Sequence, residues 1–384
     1  MKLRIATFNV ENLFSRARIL NLKDPEEVDR LLERFKQVQK LISAKTYDQA
    51  LKDEVFQLTV DLLRYIDFRK DSGSLGDWRK EDQNGSEVTG FRINQGCTGR
   101  SAWTGEIVFK RQEFGEIQRE NTGRVIKALD ADILCAVEVE GMDVLKAFNS
   151  QVLKTKKFKQ FVMIDSPNDP RGIDVACLTK HKILSLRTHV FDAGKIFDPV
   201  FSRDCLEVAV DAGLAQPVYV LCNHFKSQNG KTAKEKQDAA DKRKDQAGTV
   251  AQIIQQTYNL EKDYIVVMGD LNEDSSNAYQ SLKPLFDVKN LYPVVDPASD
   301  IRERYSYHFG GGKKGERLNQ LDYIFLSAPL HHAVRSFGFE RRGIAGIEKI
   351  TADEGVPMQK SFPEVTTWDT GASDHAGLWV EIDI

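Results

Sequence analysis

The chain has 384 residues, 41% hydrophobic and 29% charged, with a formal net charge of −3 and a pI of about 6.2. Such a length can bury a large core, and the near-neutral charge excludes a strongly basic nucleic-acid binder, though not a local basic groove. The sequence holds no run of about 18 apolar residues, so no helix is expected to cross a membrane.

In chain order, "LRIATFNV" reads as a buried strand that ends at Asn9. Asn9, Glu11 and Asn12 break the apolar stretch, unlike the core of a secretory signal. Residues 15 to about 115 differ from the rest. "DPEEVDRLLERFKQVQKLISAK" and "YDQALKDEVFQLTVDLLRYIDFRK" have helical apolar spacing. "DSGSLGDWRKEDQNGSEVTG" is polar and Gly-rich and is expected to be a long loop, and "GRSAWTGEIVFKR" to form a hairpin. This stretch reads as a helical and loop insertion, or lid, within a single domain spanning 1–384.

Beyond it, "EFGEIQRENTGRVIKALDA" predicts a helix, and "ADILCAVEV", "IDVACLTK" and "PVYVLCNHF" predict strands. "KEKQDAADKRKDQAGTVAQIIQQTYN" predicts a second long helix whose charged first half reads as a solvated face. "DYIVVMGDL", "LDYIFLS" and "AGLWVEIDI" complete the strands. Helices and strands alternate as in α/β or α+β layers. Five widely spaced cysteines without a CxxC pair read as buried thiols of a reducing compartment. A cytoplasmic protein is expected.

Polar residues collect at the strand ends. They are Asn9, Glu138, Asn223 and His224, Asp270 and Asn272, Asp322, and Ser373, Asp374 and His375. A single Asn or Asp after a strand is usually a turn residue, because it bonds its own backbone. A carboxylate inside an apolar run, such as Glu138, is less common without a partner. The set as a whole suits a hard divalent cation such as Mg²⁺, which takes oxygen ligands and few protein carboxylates. Asp270 and the histidines can move protons, and Asn272 can donate to a developing oxyanion. The chain contains no GxSxG motif.

In order, "TFNVEN", "DILCAVEVE", "RGIDVACL", "NHFKS", "GDLNE", "LDYIFLS" and "SDHAGL" closely resemble the endonuclease/exonuclease/phosphatase superfamily, which includes deoxyribonuclease I. The resemblance covers residues 1–14 and about 116–384. It implies a four-layer sandwich of two packed mixed β-sheets flanked by helices. It also implies Mg²⁺ or Mn²⁺ held by Asn9, Glu138 and Asp374, with Asp270 orienting or deprotonating the attacking water. Asn272 would steady the phosphate, His375 would contact it with its ring fixed by Asp322, and His224 would stand near the phosphate or leaving group. The choice of general base, Asp270 or the Asp322–His375 pair, stays open. Val137 stands where family members often carry Gln before the metal-binding Glu. The interval from Asn9 to Glu138 is also far longer than the family's, because the insertion fills it.

A nuclease needs cations beside its site to neutralise flanking phosphates. Arg171 and Lys226 lie next to motif residues and, with Asn223, are the expected substrate contacts. The "KTKKFK" run reads as solvated surface. The leading expectation is a metal-dependent phosphodiester hydrolase acting on nucleic acid. The alternatives are a hydrolase of small or lipid phosphate esters, or a non-catalytic phosphate-binding module.

Overall fold

The computed structural model describes every residue except 14, 18, 20–21, 23–24, 84, 114–115, 170, 229, 231, 310–316 and 354–358. Two compact units emerge: Met1–Phe14 with Phe114–Ile384, and Ser15–Glu113.

The larger unit contains two six-stranded mixed sheets. The first runs in the order Val334–Glu340, Gly377–Asp383, Lys2–Leu13, Ile133–Val139, Asp174–Thr179, Gln160–Met163. The second runs Lys182–Arg187, Cys205–Asp211, Val218–His224, Tyr264–Asp270, Asp322–Ser327, Leu291–Pro293. Each sheet has one parallel pair at its centre, Lys2–Leu13 with Ile133–Val139 and Val218–His224 with Tyr264–Asp270. Parallel neighbours require a long crossover, and the helices Glu116–Leu129 and Ala233–Thr257 lie in those crossovers.

Side chains alternate between the faces of a strand. One set, including Ile5, Cys135, Val137 and Cys177 from the first sheet and Val220, Cys222, Met268 and Ile324 from the second, forms a shared core between the sheets. In the first sheet, the alternate residues Phe8, Leu134 and Ala136 pack with Val125, Leu145 and Phe148 of the helices Glu116–Leu129 and Met142–Phe148. In the second, Leu221, Ile265 and Val267 pack with Val250 and Ile254 of Ala233–Thr257. The result is helix, sheet, sheet, helix. Strands buried on both faces read as unbroken apolar runs, which is why the sequence marks them so clearly. All five cysteines are buried free thiols. Among the described residues, no helix is long and apolar enough to cross a membrane.

The smaller unit has its own core, built from Phe35, Val38, Val55, Phe68, Phe91 and Trp103 around the helices Pro25–Ile42 and Gln49–Val60. The expected long loop is instead ordered as strands. Gly76–Gln83 and Ser86–Ile93 pair in full register across a two-residue connection. The Asn-Gly dipeptide in that connection is a strong hairpin signal, and the polarity that suggested a loop belongs to a sheet with one wet face. The expected hairpin at 99–111 is a single strand, Trp103–Phe109, paired with the distant Ile66–Gly73.

Candidate active site

Register brings the motif residues together. His224 lies opposite Asp270, and Asp270 opposite Asp322, at one edge of the second sheet. All three continue the face that carries Cys222, Met268 and Ile324, so they point between the sheets. Gly269 permits this close pairing: its φ is +141°, and a Cβ there would overlap the Asn223 carbonyl oxygen.

Asn9 continues the inward face of the first sheet and reaches across. Its Nδ2 donates to Asp270 Oδ2 at 3.0 Å, and its Oδ1 accepts from the Glu11 amide at 3.0 Å. Simple alternation would send Glu138 to the face opposite Val137. A β-bulge intervenes, because Val139 and Val137 pair with the consecutive residues Asp174 and Val175. Glu138 has φ +66°, a left-handed conformation unusual for a side chain with a Cβ. Its Oε1 comes to 3.9 Å from His224 Nε2.

His375 sits just before the last strand, with its amide on Ser373 Oγ and its Nδ1 2.8 Å from Asp322 Oδ2. Its Nε2 faces Asp270 Oδ2 at 3.8 Å and Asp374 Oδ1 at 3.9 Å. His224 Nε2 is 3.7 Å from the same Asp270 oxygen. Asp270 Oδ1 accepts from the Asn272 amide at 2.9 Å. Asn272 is also left-handed, and its Nδ2 donates to the Phe225 carbonyl.

The two histidines are driven apart. Burial, together with the charges of Arg171, His375 and Lys226, holds His224 well below its ordinary basicity, so it is neutral. Burial opposes the charge on His375 too, but Asp322, Asp270 and Asp374 outweigh it and hold the ring well above its ordinary value. Burial pushes the Asp270 carboxyl up to about 7, partly offset by the His375 charge.

Arg171 and Lys226 bear on the site through their charge on His224. Arg171 is anchored by Asp169, which accepts its amide, Nε and Nη2. Asn223 is not brought into the cluster. It is buried on the helix-covered face, with Nδ2 on the Leu221 carbonyl. The charged half of the long helix is not simply a solvated face. Arg243, Asp245 and Gln246 are buried, and Arg243 Nη2 lies 2.9 Å from Glu273 Oε2 while its Nη1 donates to the Lys226 and Ser227 carbonyls. Helical spacing points all three inward, Arg243 and Gln246 beneath the loops that follow His224 and Asp270 and Asp245 onto the amides of residues 195–197. Sequence reasoning also missed Tyr307, whose ring centroid is 4.9 Å from that of His375. Burial and the charges of Asp374, Asp270, Glu11 and Glu138 raise its phenol, so it stays neutral. It falls in "YSYHF", which carries no motif.

The family model described as Endonuclease/Exonuclease/phosphatase family matches residues 99–327. The chain belongs to this family. Solved structures resemble it at low identity. TDP2 from Caenorhabditis elegans is 15% identical over 70% of this chain and 69% of that one, with a TM-score of 0.47. An endonuclease/exonuclease/phosphatase from Beutenbergia cavernae is 15% identical over 69% and 66%, with a TM-score of 0.46. The human Nocturnin catalytic domain with bound sulfate is 16% identical over 70% and 86%, with a TM-score of 0.45. A search of curated proteins finds no match.

Membership in the endonuclease/exonuclease/phosphatase family supports phosphoester hydrolysis as the reaction class. The residues also fit a divalent cation. Among the described residues, ligand atoms of Asp270, Asp322 and His375 lie within 4.8 Å of one another, and carboxylate oxygens of Glu138 and Asp374 lie 3.9 Å from the His224 and His375 rings, so oxygen donors converge here. Asp322 Oδ1 is buried without a hydrogen-bond partner. No lysine or arginine among the described residues pairs with Glu138, Asp270 or Asp322. With His224 neutral, the His375 charge alone does not balance these carboxylates, and hard oxygen donors in surplus suit Mg²⁺ or Mn²⁺.

Proposed function

We propose that the chain is a divalent-metal-dependent phosphodiester hydrolase acting on nucleic acid. The observation that carries this reading is the meeting of Asp270 with a neutral and a charged histidine, at 3.7 and 3.8 Å, in a buried carboxylate-rich cluster. Glu138, Asn9 and Asp374 would hold Mg²⁺ or Mn²⁺, which when bound supplies charge neutralisation at the phosphoryl oxygens.

The side chains divide the remaining work. His375 is held protonated, so it is the donor to a non-bridging phosphate oxygen and not the base. Asp322 accepts its Nδ1–H and fixes the ring. Asp270, raised to about 7 by burial, is matched to accept the proton of the attacking water. Asn9 and the Asn272 amide hold the carboxylate in place. The Asn272 carboxamide steadies the phosphate, and neutral His224 stands by the leaving oxygen. Arg171 and Lys226 neutralise flanking phosphates, the feature that favours a polyanionic substrate.

The test is cleavage of supercoiled plasmid and single-stranded RNA with Mg²⁺, Mn²⁺ or EDTA, beside a His375→Ala variant. Metal-dependent cleavage lost in the variant is the expected result. No cleavage of either polymer, with metal binding intact by calorimetry, would refute nucleic acid as the substrate and turn the search to small or lipid phosphate esters.

A further inference from the structure

The loop that enters the second sheet at Cys205 carries the two most exposed large apolar side chains among the described residues, Phe191 at 75% and Ile196 at 69%. Single exposed apolar residues are ordinary on protein surfaces. This loop is unusual in how firmly it is held. The amides of Lys195, Ile196 and Phe197 all donate to the buried Asp245 carboxylate, at 2.8 to 2.9 Å. Gly194 passes so close that a Cβ would overlap Asp245 Oδ2.

The loop is also tied to both cationic loops of the site. Gln246 accepts the Lys226 amide at 2.8 Å and donates to the Val200 carbonyl at 3.2 Å. Asn168, three residues before Arg171, donates to the Val190 and Phe201 carbonyls at 2.8 and 3.0 Å. Lys195 is exposed in the loop, and Lys242 lies 5.3 Å from the Phe197 ring. An exposed aromatic ring therefore stands on a firmly held loop that is hydrogen-bonded to the loops carrying Arg171 and Lys226, with Lys195 in the same loop.

We propose that Phe191, with Ile196 in the same loop, is a stacking platform for an unpaired base of the strand whose phosphates Arg171 and Lys226 contact. The inference rests on the nucleic-acid reading above. Bases in a duplex have no free face to offer, whereas every unpaired base does, so the platform selects single-stranded segments with little sequence preference. A loop of two apolar side chains interspersed with Asp192, Lys195 and Asp198 fits a base better than the interior of a lipid layer.

The full chain, in a His375→Ala background to stop turnover, is titrated with Mg²⁺ present against a fluorescent single-stranded 10-mer (about 10 nucleotides, one site's length) and an abasic strand of the same length. The base-bearing strand should bind about 5- to 150-fold more tightly, the range for stacking of one base. Phe191→Ala should abolish that preference, and Phe191→Trp should keep it and show fluorescence quenching on binding. An unchanged preference in Phe191→Ala overturns the platform. If the parent enzyme also cleaves nucleic acid, the nuclease reading survives that failure. If neither strand binds and neither polymer is cleaved, but Phe191→Ala/Ile196→Ala lowers binding to phosphatidylcholine–phosphatidylserine vesicles, both readings fall and the loop is a membrane contact.

Discussion

Replacing Arg243 by Met should destabilise the larger unit strongly while leaving its helix intact. Arg243 and Glu273 are each about 1% exposed in their side chains, and their charges meet at 2.9 Å. Removing one partner of a buried pair typically costs about 3–5 kcal/mol, because the other charge stays behind in a low dielectric. The loss should fall toward the lower end. Glu273 keeps two donors from Ser281, its amide and its Oγ. Met fills the space of the guanidinium stem, so little cavity forms. The Lys226 and Ser227 carbonyls nevertheless lose their donor. At about 2 °C per kcal/mol for a unit of this size, the melting temperature should fall by roughly 6–8 °C. Arg243→Met/Glu273→Gln removes the stranded charge but keeps an acceptor for Ser281, and should recover more than half of the loss. Differential scanning fluorimetry of the three proteins is sufficient. A single variant that melts within about 2 °C of the parent, or a double variant no better than the single, would refute the reasoning.

Asp270→Asn should cut turnover by about 10²–10⁴-fold with the fold retained, and rapid-quench or steady-state rates would check it. The kcat/KM profile of the parent should rise with pH through about 7, as Asp270 loses its proton. A flat profile across that range would reassign the base. Asp322→Asn takes away the largest of the carboxylate effects that keep His375 charged, so the imidazole should titrate at lower pH by NMR and the alkaline limb of activity should move with it. Asp174 is raised to about 7 by burial, with Asp165, Asp169 and Asp204 adding to the effect. Its folded value lies above its unfolded value of 3.8, so its contribution to stability is present below about pH 4 and is lost as pH rises toward 7. Asp174→Asn keeps an acceptor for the Ser166 amide and should therefore raise the melting temperature at pH 8 and leave it nearly unchanged at pH 4.

The layered core was legible because strands such as Tyr264–Asp270 are buried on both faces and carry no polar interruption until their ends. The candidate site was legible at those same ends, where Asp270, Asp322 and His375 meet and are costly to bury without partners. Less legible were features set by geometry and not by residue type. Glu138 reaches the cluster only through a bulge, which no period in "ADILCAVEVE" announces. The strand Gly76–Gln83 buries only Gly76 and leaves its other residues exposed or half-buried, so its alternation is drowned by polarity. Arg243 and Asp245 sit in a run of charges whose exposed and buried members differ only by helical phase. Tyr307 enters the cluster through an isolated bridge to His375, a long-range pairing that local sequence does not encode.

Two hydrogen bonds described above tie the sheets together: Asn9 to Asp270 joins a strand of each, and His375 to Asp322 joins the segment just before the last strand of the first sheet to the second. The cluster is therefore a seam, and neither sheet owns a working half of it. A sideways slip of one sheet by a single residue, about 3.3 Å, would part both bonds while leaving every strand ladder intact. The apolar layer beneath, from Ile5 to Val220, thus acts as the gauge that sets the spacing of the candidate site. The distances between Asn9 and Asp270 and between His375 and Asp322 will report a loosened interior before any spectroscopic sign of unfolding appears.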